Sequence, residues 1–155
     1  MSLFYMLIPV MIILLTFCFM EFMAWFAHKF VMHGFLWYLH KDHHQVEPGF
    51  FEKNDAFFLI FAVPSAYCYI TGIMHADFRL FIGIGISVYG LCYFLVHDII
   101  IHQRFKIWTH WNSRYVRAIR RAHKMHHKHL NKELGENFGM LIVPLKYWKD
   151  PTTSK

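Results

Sequence analysis

The sequence predicts an all-α fold: an integral membrane bundle of three or four spans, with a histidine-rich helical cap that holds a dinuclear metal site. Three observations carry this. Long uncharged apolar runs recur along the chain, basic residues gather on one side of them, and ten histidines fall into four spaced clusters. The chain has 155 residues and reads as a single domain over 1–155. At 56 % apolar residues it is too hydrophobic for disorder. Eight glycines, five prolines and three cysteines exclude collagen, low-complexity and disulfide scaffolds.

The first apolar run, Leu3 to Met20, carries no formal charge. It approaches the roughly 20 apolar residues a bilayer core requires. No basic segment precedes it and no small-residue cleavage site follows, so it reads as a retained span over about 3–22 rather than a signal peptide. The second run gives a span over 56–74, where Pro64 is tolerated because neighbouring helices satisfy the backbone. The third gives a span over 79–97. Only His75 to Arg79 separate the second and third runs, which predicts a tight hairpin. Gly83, Gly85 and Gly90 permit close helix contact, or are simply tolerated. The stretch 138–148 is too short to span and is interfacial, re-entrant or buried against the metal-binding part.

Orientation follows from charge. The balance is 16 basic to 10 acidic residues, net +6, and with three spans only Arg79 lies opposite the histidine side. The positive-inside rule then places the histidine clusters on the cytoplasmic face and the N-terminus outside. Topology and anionic membrane lipid account for the charge. Arg114, Arg117, Arg120, Arg121 and Lys124 resemble a phosphate-binding helix, but in so apolar a chain no nucleic acid partner is expected. Cys18, Cys68 and Cys92 lie in apolar runs without C-x-x-C spacing and read as small core residues.

The histidines follow a repeated order. His28 and His33 form H-x4-H; His40, His43 and His44 form H-x2-H-H. His97 and His102 repeat the pair, and His123, His126 and His127 repeat the triplet. Residues three and four apart share a helix face, so each triplet converges. Five residues, by contrast, turn about 140° beyond a full turn at 3.6 residues per turn. The pairs therefore require a π-type turn, which is found at functional sites, or their members serve different ions. Imidazole suits zinc, copper, iron and nickel. Ten nitrogens exceed what one ion takes and suit two ions with about five each. His75 lies opposite the clusters; His110 and His129 fit none of them and read as solvated or lipid-facing.

Asp98 follows His97 and Asp42 precedes His43, and either carboxylate can orient an imidazole through its other nitrogen. Glu21, ending the first span, is placed to pair with a histidine or arginine. Asn137 is a candidate for a further hydrogen bond to the site.

This order of histidines, with AHKFVMHG (27–34), YGLCYFLVHDIIIHQR (89–104), RAHKMHH (121–127) and NFGMLIVP (137–144), resembles the bacterial β-carotene hydroxylases. These belong to the membrane fatty acid hydroxylase and sterol desaturase superfamily. The likeness runs from about Glu21 to Pro144. It implies a non-haem di-iron monooxygenase of the bacterial inner membrane, with O2 as co-substrate and no catalytic residues beyond the metal ligands. The implied cofactor is two iron ions, for which zinc can substitute in a purified sample. The implied reaction hydroxylates carbon 3 of each β-ionone ring of β-carotene, giving zeaxanthin through β-cryptoxanthin. A ferredoxin-like donor or reductase would supply electrons, since no flavin, haem or nucleotide motif is apparent in the sequence. The rival readings are a carotenoid ketolase, a fatty acyl or sterol hydroxylase, a metal transporter and a structural membrane module. Transporters place ligands within the spans; clusters flanking the spans favour a catalytic cap.

Overall fold

The computed structural model describes residues 3–45 and 47–149. Its regular structure is all helical, with no strand among those residues. Helix α1 (Leu3–Phe26) continues through a π-helical segment, Ala27–Phe35, into α2 (Trp37–His44). A 3-10 turn, Lys53–Phe57, leads into α3 (Phe58–His75). Helix α4 (Arg79–Phe94) runs into a second π-helical segment, Leu95–Ile101. Helix α5 (Arg114–His127) follows a loop, and a 3-10 turn at Leu145–Tyr147 closes the described chain.

Three helices are long and apolar enough to cross a membrane among the described residues: Leu7–Phe35, Lys53–His75 and Arg79–Ile101. Leu15, Phe19, Phe22, Leu59, Val63, Ile70, Ile73 and Leu91 lie exposed on their outer faces. Such an apolar exterior suits lipid, not water. The segment 138–148 forms no fourth span. It is irregular apart from its 3-10 turn, with Met140, Val143 and Tyr147 buried beneath the cap.

Helix α4 is the central span and packs on both α1 and α3. Glycine makes this possible at particular positions. A Cβ on Gly85 would meet Thr16 Cβ at 2.7 Å and the Ile13 carbonyl at 2.9 Å, whereas one on Gly90 would meet nothing within 4 Å. Gly85 is therefore a contact glycine and Gly90 a tolerated one. Gly85→Ala should lower the melting temperature in detergent, because overpacking costs about 1–3 kcal/mol. Gly90→Ala should leave it unchanged or raise it slightly. The α3–α4 hairpin turns through Ala76 in left-handed backbone (φ 52°). It is pinned by the Asp77–Arg79 ion pair, at the end away from the histidine clusters.

Below the cap, Met20, Ala24, Ile86 and Tyr89 form a core between α1 and α4. The cap has its own core, where Ala118, Ile119 and Ala122 of α5 meet Val143 and Tyr147. Ser113 starts α5 by accepting from the Val116 amide at 3.2 Å. The basic side chains of α5 clamp backbone: Arg120 donates to the Ile100 carbonyl and Arg121 to that of Tyr147.

Candidate metal centre

Both H-x4-H pairs lie where the helix widens. His28 and His33 are inside the first π segment, and His97 lies in the second with His102 at its end. The His102 amide bonds the His97 carbonyl at 2.9 Å, an i→i+5 bond. The wider turn realigns each pair: ring centroids are 5.2 Å apart for His28 and His33, and 4.5 Å for His97 and His102. Of the two sequence alternatives, the π turn is the one the chain adopts.

The imidazoles gather into two groups. His28, His33, His40, His44 and His126 place ligand atoms within 4.8 Å of one another, and so do His43, His102, His123 and His127. His97 joins the second group through His43, their Nε2 atoms lying 3.1 Å apart. The pairs stay whole, but the triplets, whose spacing predicts convergence, divide between the two groups. His40 and His44 face one group and His43 the other; His126 faces the first, His123 and His127 the second.

The outer nitrogens reveal what the inner ones face. Nδ1–H of His28, His33, His44 and His126 donates to the carbonyls of Phe138, Lys132, His129 and Glu136, at 2.9–3.2 Å. Nδ1–H of His40 donates to Asn54 Oδ1, that of His43 to Glu52 and that of His97 to Asp98. With the proton on Nδ1, each Nε2 of a neutral ring is a bare lone pair. Yet Nε2 of His40 faces Nε2 of His28 and of His44 at 3.2 Å each, and His33 faces His126 at 3.2 Å. Lone pairs so opposed repel unless a cation lies between them. Nitrogens about 2.1 Å from one ion and at right angles would be about 3 Å apart. His127 Nε2 is buried without a hydrogen-bond partner. This donor set fits transition-metal ions.

Burial keeps the rings neutral, as ligands must be. It pushes His40, His126 and His127 down to about 2, His102 to about 3 and His44 to about 4, with neighbouring imidazoles adding to the effect. His43 and His123 lie well below the ordinary range for the same reasons. Each folded-state value is below the unfolded value of about 6.5. Their contribution to stability is therefore full above about pH 6.5 and falls as acid is added, because the unfolded chain then binds more protons. The metal-free protein should show a flat melting temperature from pH 8 to 7 and a steep decline from 6.5 to 5. A flat profile down to pH 5 would contradict the burial.

Asp98 touches the site as its sequence position suggests, accepting from His97 Nδ1 at 3.3 Å while bound to Arg104. Asp42 does not orient a histidine; it accepts from the Lys53 amide at 2.6 Å. Glu21 pairs with neither a histidine nor an arginine. Its carboxylate accepts from the amides of Met140, Leu141 and Ile142 and from the Tyr89 hydroxyl at 2.7 Å. Asn137 acts through its backbone: at φ 62° it sits between the two residues whose carbonyls hold His126 and His28. His75 and His110 are exposed, and His129 contributes its carbonyl. Glu52, Asn54 and the carbonyls of 129–138 escaped the sequence reading, because no fixed spacing ties them to the histidines.

A cavity of about 770 Å³ runs between α1, α3 and α4. Its wall is mainly apolar, with Ala24, Phe61, Ile86 and Leu91 among the lining residues, and it reaches both His28 and His97. It therefore opens on both histidine groups.

Three membrane-crossing helices capped by converging imidazoles define a class: a membrane protein built around a candidate metal centre. Comparison with known proteins makes the class particular. The chain belongs to the fatty acid hydroxylase family, whose profile matches residues 13–148, and it is an enzyme of the hydroxylase type. It is 38 % identical to a β-carotene hydroxylase of Pseudescherichia vulneris, over 89 % of this chain and 78 % of that one. Identity to a β-carotene hydroxylase of Pantoea ananas is 37 %, over 86 % and 77 %. A chloroplastic β-carotene hydroxylase 2 of Capsicum annuum is 37 % identical over 81 % of this chain and 41 % of its own length. No solved structure matches the chain significantly.

Proposed function

We propose that the chain hydroxylates carbon 3 of each β-ionone ring of β-carotene, giving zeaxanthin through β-cryptoxanthin. The observation that carries this is the apolar cavity meeting both histidine groups, in a chain whose relatives bear the name β-carotene hydroxylase. Each turnover consumes O2, two electrons and two protons; one oxygen atom enters the C–H bond and the other leaves as water. Two iron ions would be held by His28, His33, His40, His44 and His126, and by His43, His97, His102, His123 and His127; when bound they supply the O2 reduction that the imidazoles alone lack.

The chain's own residues do the rest. The cavity wall admits a hydrocarbon directly from the bilayer and keeps water from the reacting ring. The outer hydrogen bonds hold seven of the ten imidazoles with lone pairs inward. An external ferredoxin-like donor or reductase supplies electrons. The histidine end faces the cytoplasm from the bacterial inner membrane, a reading supported by Lys29, Lys41, Lys53 and the basic residues from Arg104 onward on that side.

The test is a reaction in lipid nanodiscs with β-carotene, ferrous iron, a reduced ferredoxin system and 18O2. The expected product is zeaxanthin with 18O in both hydroxyls. Unlabelled product, or a ketone in place of the alcohol, would overturn the proposal.

A further inference from the structure

We infer that the two histidine groups are unequal metal sites: the His43 group holds its ion more tightly, backed by Glu52 and Asp98, and the His28 group yields its ion first. The inference rests on the two-ion reading above. It comes from the partners on the far side of the rings. In the His28 group all five Nδ1 atoms donate to neutral oxygens, four of them backbone carbonyls from the single segment 129–138. In the His43 group two Nδ1 atoms donate to carboxylates, His43 to Glu52 at 2.8 Å and His97 to Asp98 at 3.3 Å. A carboxylate behind an imidazole raises its basicity and its strength as a ligand more than a carbonyl does.

These carboxylates are fixed in place. Arg104 bonds Asp98 at 2.9 Å and Asp55 at 2.7 Å, and Asp55 in turn accepts from the Glu52 amide at 3.1 Å. One guanidinium thus ties together the two supports of one group. The other group depends on an irregular segment with Leu134 and Asn137 in left-handed backbone. Glu52 and Asp98 are positioning residues, since they act through His43 and His97. The segment 129–138 has the same standing toward the His28 group.

The experiment measures anaerobic release of ferrous iron from the full-length protein in detergent to excess ferrozine, a coloured Fe(II) chelator. Two phases of one ion per chain are expected, with rates at least about tenfold apart. Glu52→Gln keeps a hydrogen-bond acceptor for His43 but removes the charge; it should speed the slow phase about 10–100-fold and leave the fast phase alone. Asp98→Asn is the second, independent variant with the same expected pattern. Asn137→Val strains the left-handed backbone of a β-branched residue and should speed only the fast phase. Release of two ions in one phase from the unsubstituted protein, or acceleration of the fast phase by either carboxylate variant, would overturn the inference while sparing the two-ion reading. Fewer than two ions per chain at saturation would overturn both.

Discussion

His40→Ala will abolish hydroxylation and remove metal while the protein stays in the membrane. His40 is 1 % exposed, and its Nε2 faces those of both His28 and His44 at 3.2 Å. It joins the π-segment pair to its own triplet, so its loss opens the middle of the first group. Activity should fall to background, and bound iron by at least one ion per chain. The stability consequence is less obvious. In the metal-free protein the substitution removes opposed lone pairs along with a buried ring, so the cavity cost is partly offset. In the loaded protein it removes the stabilisation that binding supplies, about 4 kcal/mol when free metal is 1,000 times the dissociation constant. The rise in melting temperature on adding metal should therefore shrink sharply in the variant. An unchanged rise would show that His40 is not part of the binding set.

Glu21→Gln will have the largest structural effect outside the histidines. Three consecutive backbone amides and one phenol converge on this carboxylate, which is 8 % exposed. Glutamine offers one oxygen and turns the other position into a donor facing donors. Buried unsatisfied donors cost about 1–3 kcal/mol each, and bonds to a charged acceptor contribute about 1.5–3 kcal/mol. A loss of about 3–5 kcal/mol is expected on that basis. The effect should reach the centre, because Glu21 anchors the segment that presents the Glu136 and Phe138 carbonyls to His126 and His28. Hydrogen exchange at the amides of 140–142 should accelerate together with loss of iron. Tyr89→Phe removes one of the four donors and should cost about 1–2 kcal/mol. Equal effects from the two variants would contradict the carboxylate's role as an anchor.

The spans were legible in the sequence because length and hydropathy alone decide whether a helix can cross a bilayer. The cap was legible only in part. The sequence showed the conflict in H-x4-H without resolving it, since a π turn leaves no fixed mark in local composition; the packing of His28 against His126 and Phe138 is tertiary. Division of the triplets departs from the convergence that spacings of three and four predict: His40 and His44 turn to one group and His43 to the other, because each group is completed by rings from other helices. The oxygens behind the rings could not be read in advance. Most are backbone carbonyls, which every residue possesses, and Glu52 has no set distance from His43. Glu21 illustrates the same limit: its partners are amides about 120 residues away, so an ion pair was the natural expectation and the wrong one.

Pigment analysis in a bacterial host that accumulates β-carotene, comparing the intact chain with His126→Ala at equal expression, tests the proposed reaction most directly. His126 is fully buried, its Nε2 opposed to that of His33. Zeaxanthin, with β-cryptoxanthin as the intermediate, is expected from the intact chain and unchanged β-carotene from the variant. Unchanged β-carotene beside well-expressed, iron-loaded intact protein with a working electron donor, or zeaxanthin from the variant, would contradict it.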